Sequence, residues 1–250
     1  VIVVHFAGLP CDMAEISKFC KKKNIKIIED SAETLGAKIR NKFTGTFGTG
    51  CFSFFPTKNI TTTEGGMLTT NDKKTYEYVK KLIAHGIDKN IKKKFWHRVA
   101  VLPGHNFRMP NHLAAIGYSQ LKKIDIFNRA RNQIAHLYNS ELSKSFYKIN
   151  IPYVPKGFSH SYQMYTITVS TNIRDNLLNF LKKSNIEASA HFDPPLHSQK
   201  YLKKYYKSKL PVTEKLSKEI ITLPIFPDMT KKEVLYVIKM INKFYKLHNL

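Results

Sequence analysis

The sequence predicts an α/β fold: a larger domain with a mostly parallel sheet over residues 1–126, then a long linking helix and a smaller α+β domain over residues 127–250. Three observations carry this. The first half alternates short β-branched runs with amphipathic helical stretches, the pattern of repeated β-α-β units. The second half opens on a long helical stretch and then mixes an alternating strand with helices. At 250 residues, 42% of them hydrophobic, the chain is long enough to bury a sizeable core.

In order, "VIVVHF" (1–6) is apolar and β-branched and reads as a buried strand. Asp12 can cap the helix "MAEISKFCKKK", whose apolar Met13, Ile16, Phe19 and Cys20 fall at helical spacing. "IKIIED" (25–30) is the next strand and ends in two acids. "GCFSFF" (50–55) and "GGMLTT" (65–70) are two further short strands, and "GTFGTG" (45–50) is the turn leading into the first of them. "KKTYEYVKKLIAHG" (73–86) is an amphipathic helix closed by Gly86. Residues 87–110 read as irregular. "NHLAAIGYSQLKKI" starts a helix with a small-residue face, and residues 125–145 form the long helix. "YQMYTITVS" is an alternating strand, residues 173–185 a helix, "IEASAHF" (186–192) a strand, and residues 231–247 a closing amphipathic helix.

Charge and cysteine content exclude several classes. The formal net charge of +23 invites a nucleic-acid reading. Its best support, the lysine runs at 21–23, 92–94 and 203–204, sits in separate segments without a recognised nucleic-acid motif, so no nucleic-acid partner is expected. A positive field can instead draw in a phosphorylated small molecule. Cys11, Cys20 and Cys51 are scattered and form no CxxC pair, which argues against a disulfide scaffold and a zinc site and for a cytoplasmic home. No apolar run approaches membrane-spanning length, and no metal is expected.

Ligands of open α/β sheets gather at the carboxyl ends of strands. Asp30 ends one expected strand, Ser53 lies in another and Lys58 lies just beyond it. An acid, a hydroxyl and an amine beside glycine-rich backbone suggest a phosphorylated cofactor. Such a lysine can form a Schiff base, and such a carboxylate can keep a pyridinium protonated. Each residue also has a plainer reading: a solvated lysine, a helix-capping acid, a small strand serine.

The joint pattern goes further. "IIEDSAETLGAKIRNKFTGTFGTGCFSFFPTKNITTTEGGMLTTND" (27–72) resembles the DegT/DnrJ/EryC1/StrS family, the pyridoxal-phosphate-dependent sugar aminotransferases of the type I aminotransferase fold. "LPGHNFRMPNHLAAIGYSQL" (102–121), "HFDPPLHSQKY" (191–201) and "LPIFPDMT" (223–230) are similar to later family motifs. The resemblance implies that Lys58 holds pyridoxal 5'-phosphate covalently, that Asp30 partners its ring nitrogen, and that Ser53 binds its phosphate. It implies that Asn106 is lent to that phosphate from the neighbouring subunit of a homodimer. Glu33 falls near the cofactor ring oxygen and the substrate, and Glu there is similar to the branch making 4-amino sugars of the perosamine kind. His191 falls at the mouth of the sugar pocket.

The implied reaction moves an amino group, with glutamate as donor, to a nucleotide-linked keto-sugar, for a surface polysaccharide or glycan. Lys58 argues against the family's dehydratase branch. Two departures stand out. Thr63 occupies a position where many relatives carry glycine. Relatives also begin upstream, with a phosphate-binding turn and a residue that stacks on the cofactor. The chain is therefore expected to lack the first part of the large domain and to expose apolar surface on its first strand. That leaves a second expectation, an inactive dimerising fragment or remnant.

Overall fold

The computed structural model describes residues 1–91, 94–145, 147–205 and 208–249. Lys92 and Lys93, two of the lysines in the 92–94 run, lie outside them. The chain forms two compact units, Val1–Asp125 with Gly157–His160, and Ile126–Lys156 with Ser161–Leu250.

In the first unit β1 (Ile2–Val4) leads into α1 (Met13–Lys22) and returns as β2 (Ile28–Asp30). Asp12 starts α1 as expected. Its carboxylate accepts from the N–H groups of Ala14 and Glu15, which have no partner within the helix. Met13 and Cys20, seven residues apart on one face, are buried, and Lys21 and Lys22 sit at the carbonyl end where the helix dipole favours cations. β3 (Lys38–Ile39) and β4 (Lys42–Phe43) form a small hairpin that β7 (Phe158–Ser159) joins. β5 (Thr49–Ser53) and β6 (Gly66–Thr69) complete a four-stranded sheet in the order β1-β2-β5-β6. The pairs β1–β2 and β2–β5 are parallel, whereas β6 runs antiparallel to β5. Nothing helical separates β5 from β6, so the chain can only fold back on itself there. In β1, Val3 is buried while Ile2 and Val4 are exposed.

The sheet is pinned by a buried carboxylate. Glu29, in the middle of β2, is fully buried, and its oxygens accept four hydrogen bonds. Gly45 N–H and His5 Nε2 reach Oε2 at 2.8 and 3.1 Å, and Phe47 and Gly48 N–H reach Oε1 at 2.7 and 2.8 Å. The Cys11 N–H donates to His5 Nδ1, which assigns the ring proton to Nε2 and directs it at Glu29. Burial pushes the Glu29 carboxyl up, but the His5 bond and the three backbone donors outweigh it and hold it below its ordinary value. The 45–48 turn can wrap this closely only because it is glycine-rich. Gly45 has φ +78°, and a Cβ on Gly48 would stand 2.4 Å from the Ile27 carbonyl oxygen.

Past the sheet come α2 (Lys73–Leu82), α3 (Asn111–Leu121) and α4 (Ile124–Leu142). α2 stops before Gly86, whose N–H still bonds to the Lys81 carbonyl. The 83–110 stretch is irregular but tied down by isolated bridges, Ala84 to Asn106 and Ile87 to Ala100.

The second unit holds the larger core. β8 (Tyr165–Thr168) pairs antiparallel with β9 (Ile220–Leu223), and α5 (Thr171–Lys183), α6 (Pro211–Glu219) and α7 (Lys231–Leu247) complete it. Tyr138 and Leu142 of α4, Tyr165, Ile167, Leu177, Leu181, Ile221, Val234, Ile241 and Phe244 are all buried in one cluster. Arg131 is buried here too, donating to the carbonyls of Tyr162, Gln163 and Ile225. A capping box of Thr230 and Glu233 starts α7 at Lys231, the residue where the helical pattern begins. The strand expected over 186–192 does not form. Ser189 alone makes a two-bond bridge to Thr222, and beyond it Pro194 and Pro195 have no N–H to continue a ladder. β9, α6 and the β3–β4–β7 sheet were not expected.

Glu29→Gln leaves an amide NH2 facing backbone donors and removes the charge they share, so it should lower unfolding stability by about 3 kcal/mol. Because the folded Glu29 pKa lies below its ordinary 4.5, its contribution is present above that value and disappears as the pH falls through the folded one. Denaturant titrations from pH 7 to 3 should show the wild type losing this increment and the variant not.

Candidate active site

The carboxyl ends of β2 and β5 bring three of the expected residues onto one part of the sheet. Asp30 is in register with Cys51, and Ser53 lies two residues further along β5. Partners in a parallel pair face the same side, as do residues two apart, so Asp30, Cys51 and Ser53 share a face. Burial, aided by the Asp30 charge, pushes the Cys51 thiol pKa up. Asp30 Oδ1 accepts the Ala32 N–H at 3.1 Å, and Ser53 Oγ accepts the Phe55 N–H at 3.3 Å.

After β5 the chain turns, with Lys58 N–H bonding back to the Phe55 carbonyl. The Lys58 side chain is only 17% exposed, unlike most lysines of this chain, and its Nζ stands 3.5 Å from Glu33 Oε1. The other Glu33 oxygen accepts the Ala7 N–H at 2.7 Å. Ala7 can present that N–H because it takes a left-handed conformation, φ 59°, in the 3-10 turn (Phe6–Gly8) that leaves β1. So Glu33 is clamped between the exit of β1 and the lysine.

The loop behind Lys58 is fastened by its own threonines. Thr61 Oγ1 donates to the Phe54 carbonyl and accepts the Thr63 N–H, while Thr62 Oγ1 donates to the Glu64 carbonyl. Thr63 sits at φ +65°, a conformation that costs a β-branched residue about 1–2 kcal/mol. This is the position at which the sequence departs from glycine, and the backbone geometry there is one that glycine adopts freely.

Asn106 and His191 make contacts of their own. Asn106 is exposed, and its Oδ1 accepts from Arg108 Nε at 3.2 Å. Among the described residues no hydrogen bond joins it to Lys58, Asp30 or Ser53. His191 belongs to the second unit, where Nδ1 lies 2.9 Å from Thr222 Oγ1 and 3.2 Å from Ser189 Oγ. Neither the Ala7 N–H nor the His5–Glu29 pair leaves a mark in the sequence, where the doubled acid at the end of β2 is the nearest signal.

The groups gathered at the sheet edge are an amine, two carboxylates and a hydroxyl. That set fits pyridoxal 5'-phosphate: an amine for its carbonyl, a carboxylate for its ring nitrogen and a hydroxyl for its phosphate. Among the described residues no cluster of side chains could hold a metal ion, and no helix is long and apolar enough to cross a membrane.

The fold is that of the fold-type-I aminotransferases. The chain superposes over its whole length on the aminotransferase TlmJ from Streptoalloteichus hindustanus, with a TM-score of 0.92 and 26% identity, covering 66% of that protein. Over 98% of its length it superposes on PseC of Helicobacter pylori, an aminotransferase of pseudoaminic acid biosynthesis, with the same TM-score, 27% identity and 66% of that chain covered. The chain belongs to the DegT/DnrJ/EryC1/StrS aminotransferase family, whose model matches residues 1–242. GDP-perosamine synthase of Escherichia coli O157:H7 is 37% identical over 251 aligned positions, 98% of this chain and 65% of that enzyme. The chain thus spans slightly less than two thirds of the length of these relatives. Pyridoxal 5'-phosphate is the cofactor of the family, and solved structural neighbours occur in forms with it and with its aminated counterpart.

Thr63→Gly should release the left-handed strain and raise stability by about 1 kcal/mol, read as a higher thermal midpoint. An unchanged or lower midpoint means that the threonine hydrogen bonds outweigh the strain.

Proposed function

We propose that this chain forms the lysine-bearing part of a sugar aminotransferase that carries an amino group from glutamate to the keto group of a nucleotide-linked deoxy-sugar. The observation that carries the reading is the half-buried Lys58–Glu33 pair beside Asp30 and Ser53 at the carboxyl ends of β2 and β5. When bound, pyridoxal 5'-phosphate supplies an electron sink that makes loss of a proton from the amino donor feasible. Lys58 would hold the cofactor and, with its amine free, would carry that proton as general base and acid. Asp30 would keep the ring nitrogen protonated. Ser53 would bind the phosphate, and Glu33, fixed by the Ala7 N–H, would orient Lys58 on the substrate side. The 37% identity to a GDP-perosamine synthase and the Glu at position 33 favour a nucleotide-linked 4-keto sugar as acceptor. His191 serves the sugar. The enzyme acts in the cytoplasm and feeds surface glycan synthesis.

The functional unit is a homodimer. α3 carries Leu113, Ile116, Tyr118 and Leu121, yet none of its residues is buried, and Ile116, Tyr118 and Leu121 are more than a third exposed. A helix of that character is normally covered. A second copy over α3 would also put the 105–109 segment, with Asn106, at an interface, where it can reach the partner's phosphate site.

Adding pyridoxal 5'-phosphate should produce a new absorbance band that borohydride fixes onto Lys58, identified by peptide mass, and that is absent from Lys58→Ala. Glutamate should then convert the band to that of the aminated cofactor. A folded wild type that gives no band, while sedimenting as a dimer, favours the second reading, a dimerising chain without catalytic function.

A further inference from the structure

Two adjoining clefts run along α7 in the second unit, and no candidate active-site residue lines either. The first, of about 780 Å3, lies between residues 185–187, the segment from Pro224 to Thr230, and the first two turns of α7. Ile186, Met229 and Val237 on its floor are buried, whereas Phe226, Leu235 and Tyr236 on its walls are all more than a third exposed. These walls are held in place. Arg131 donates to the Ile225 carbonyl at 2.9 Å, and the Tyr236 hydroxyl donates to the Ser184 carbonyl at 3.1 Å. The second cleft, of about 480 Å3, shares Leu235 and Lys239 with the first and continues along Ile238, Asn242, Lys243 and Lys246.

The two clefts differ in chemistry. The first is walled mostly by apolar side chains, at a volume typical of small-molecule sites, about 300–1,000 Å3. In the second, Lys239, Lys243 and Lys246 recur at i, i+4 and i+7, one face of the helix, with no acid among the lining residues. None of these three lysines is in an ion pair among the described residues. The acids near the first cleft are Glu187 and Glu233, beside Lys232, and the Glu233 carboxylate is already taken by Thr230. An apolar slot that opens onto a row of uncompensated cations matches a molecule with an apolar chain and an anionic end.

We propose that the α7 clefts bind a single-chain amphiphile with a phosphate head group, its chain against Phe226, Leu235 and Tyr236 and its head on Lys239, Lys243 and Lys246. The site is separate from the aminotransferase reading and does not depend on it.

Octyl, decyl and dodecyl phosphate, titrated calorimetrically below their critical micelle concentrations, provide the test. Affinity should rise with chain length, about fourfold for each methylene that enters the cleft. Octyl glucoside and inorganic phosphate should bind at least tenfold more weakly than octyl phosphate. Lys239→Glu, Lys243→Glu and Lys246→Glu combined should weaken octyl phosphate at least tenfold. Leu235→Asp should flatten the chain-length dependence. All these positions are exposed, and circular dichroism of each variant checks that the fold is kept. Equal binding of neutral and anionic amphiphiles, no dependence on chain length, or unaltered binding by the triple variant overturns the proposal. Co-sedimentation with phosphatidylcholine vesicles that carry lysophosphatidylglycerol separates the sources of such a head group. Binding lost in Leu235→Asp identifies a membrane lipid as the occupant, whereas binding kept there, without alkyl phosphate binding, reflects general basic attraction and overturns the cleft.

Discussion

The first unit is organised around one buried negative charge. Leaving Glu29 ionised away from water is costly, and the structure offsets that cost with four donors drawn from two places: His5 beyond β1, and Gly45, Phe47 and Gly48 in the turn before β5. These contacts tie the exit of β1 and the entry of β5 to the middle of β2. Asp30 follows directly, and the turn that donates to Glu29 delivers β5 and therefore Ser53 and Lys58. The neighbouring acid could not serve the chemistry proposed for it if the strands beneath were free to slide.

Much of this was legible in the sequence, and the exceptions have physical causes. The α1 cap at Asp12, the strands at 28–30 and 49–53 and the start of α7 were readable because each is set by local chemistry: a capping side chain, short apolar runs, an amphipathic period. The antiparallel direction of β6 was not, because strand direction depends on what fills the connection. The strand expected over 186–192 shrinks to the single bridge of Ser189 with Thr222, and the prolines just beyond it cannot extend the ladder. Two-residue strands such as β3, β4 and β7 carry too little periodicity to be seen at all.

The site divides in the same way. Lys58, Asp30, Glu33 and Ser53 stood out through motif spacing; the structure sets Asp30 and Ser53 on one face and pairs Lys58 with Glu33. The clamp on Glu33 did not stand out, because its donor is the backbone of Ala7, and a backbone N–H leaves no mark in a sequence. His5 could not be paired by spacing either, since Glu29 lies 24 residues away. Thr63 was visible as a departure from glycine, and its positive φ supplies the physical meaning of that departure.

The antiparallel pairing of β5 with β6 has a consequence for how the lysine is held. Ser53 pairs with Gly66, so one ladder fixes both ends of the loop that carries Lys58, and the Phe54–Gly65 and Thr62–Phe54 backbone bonds close it further from within. A lysine on a crossover between parallel strands would depend on a longer connection for its position. Here the two strands that flank the amine are also its anchor.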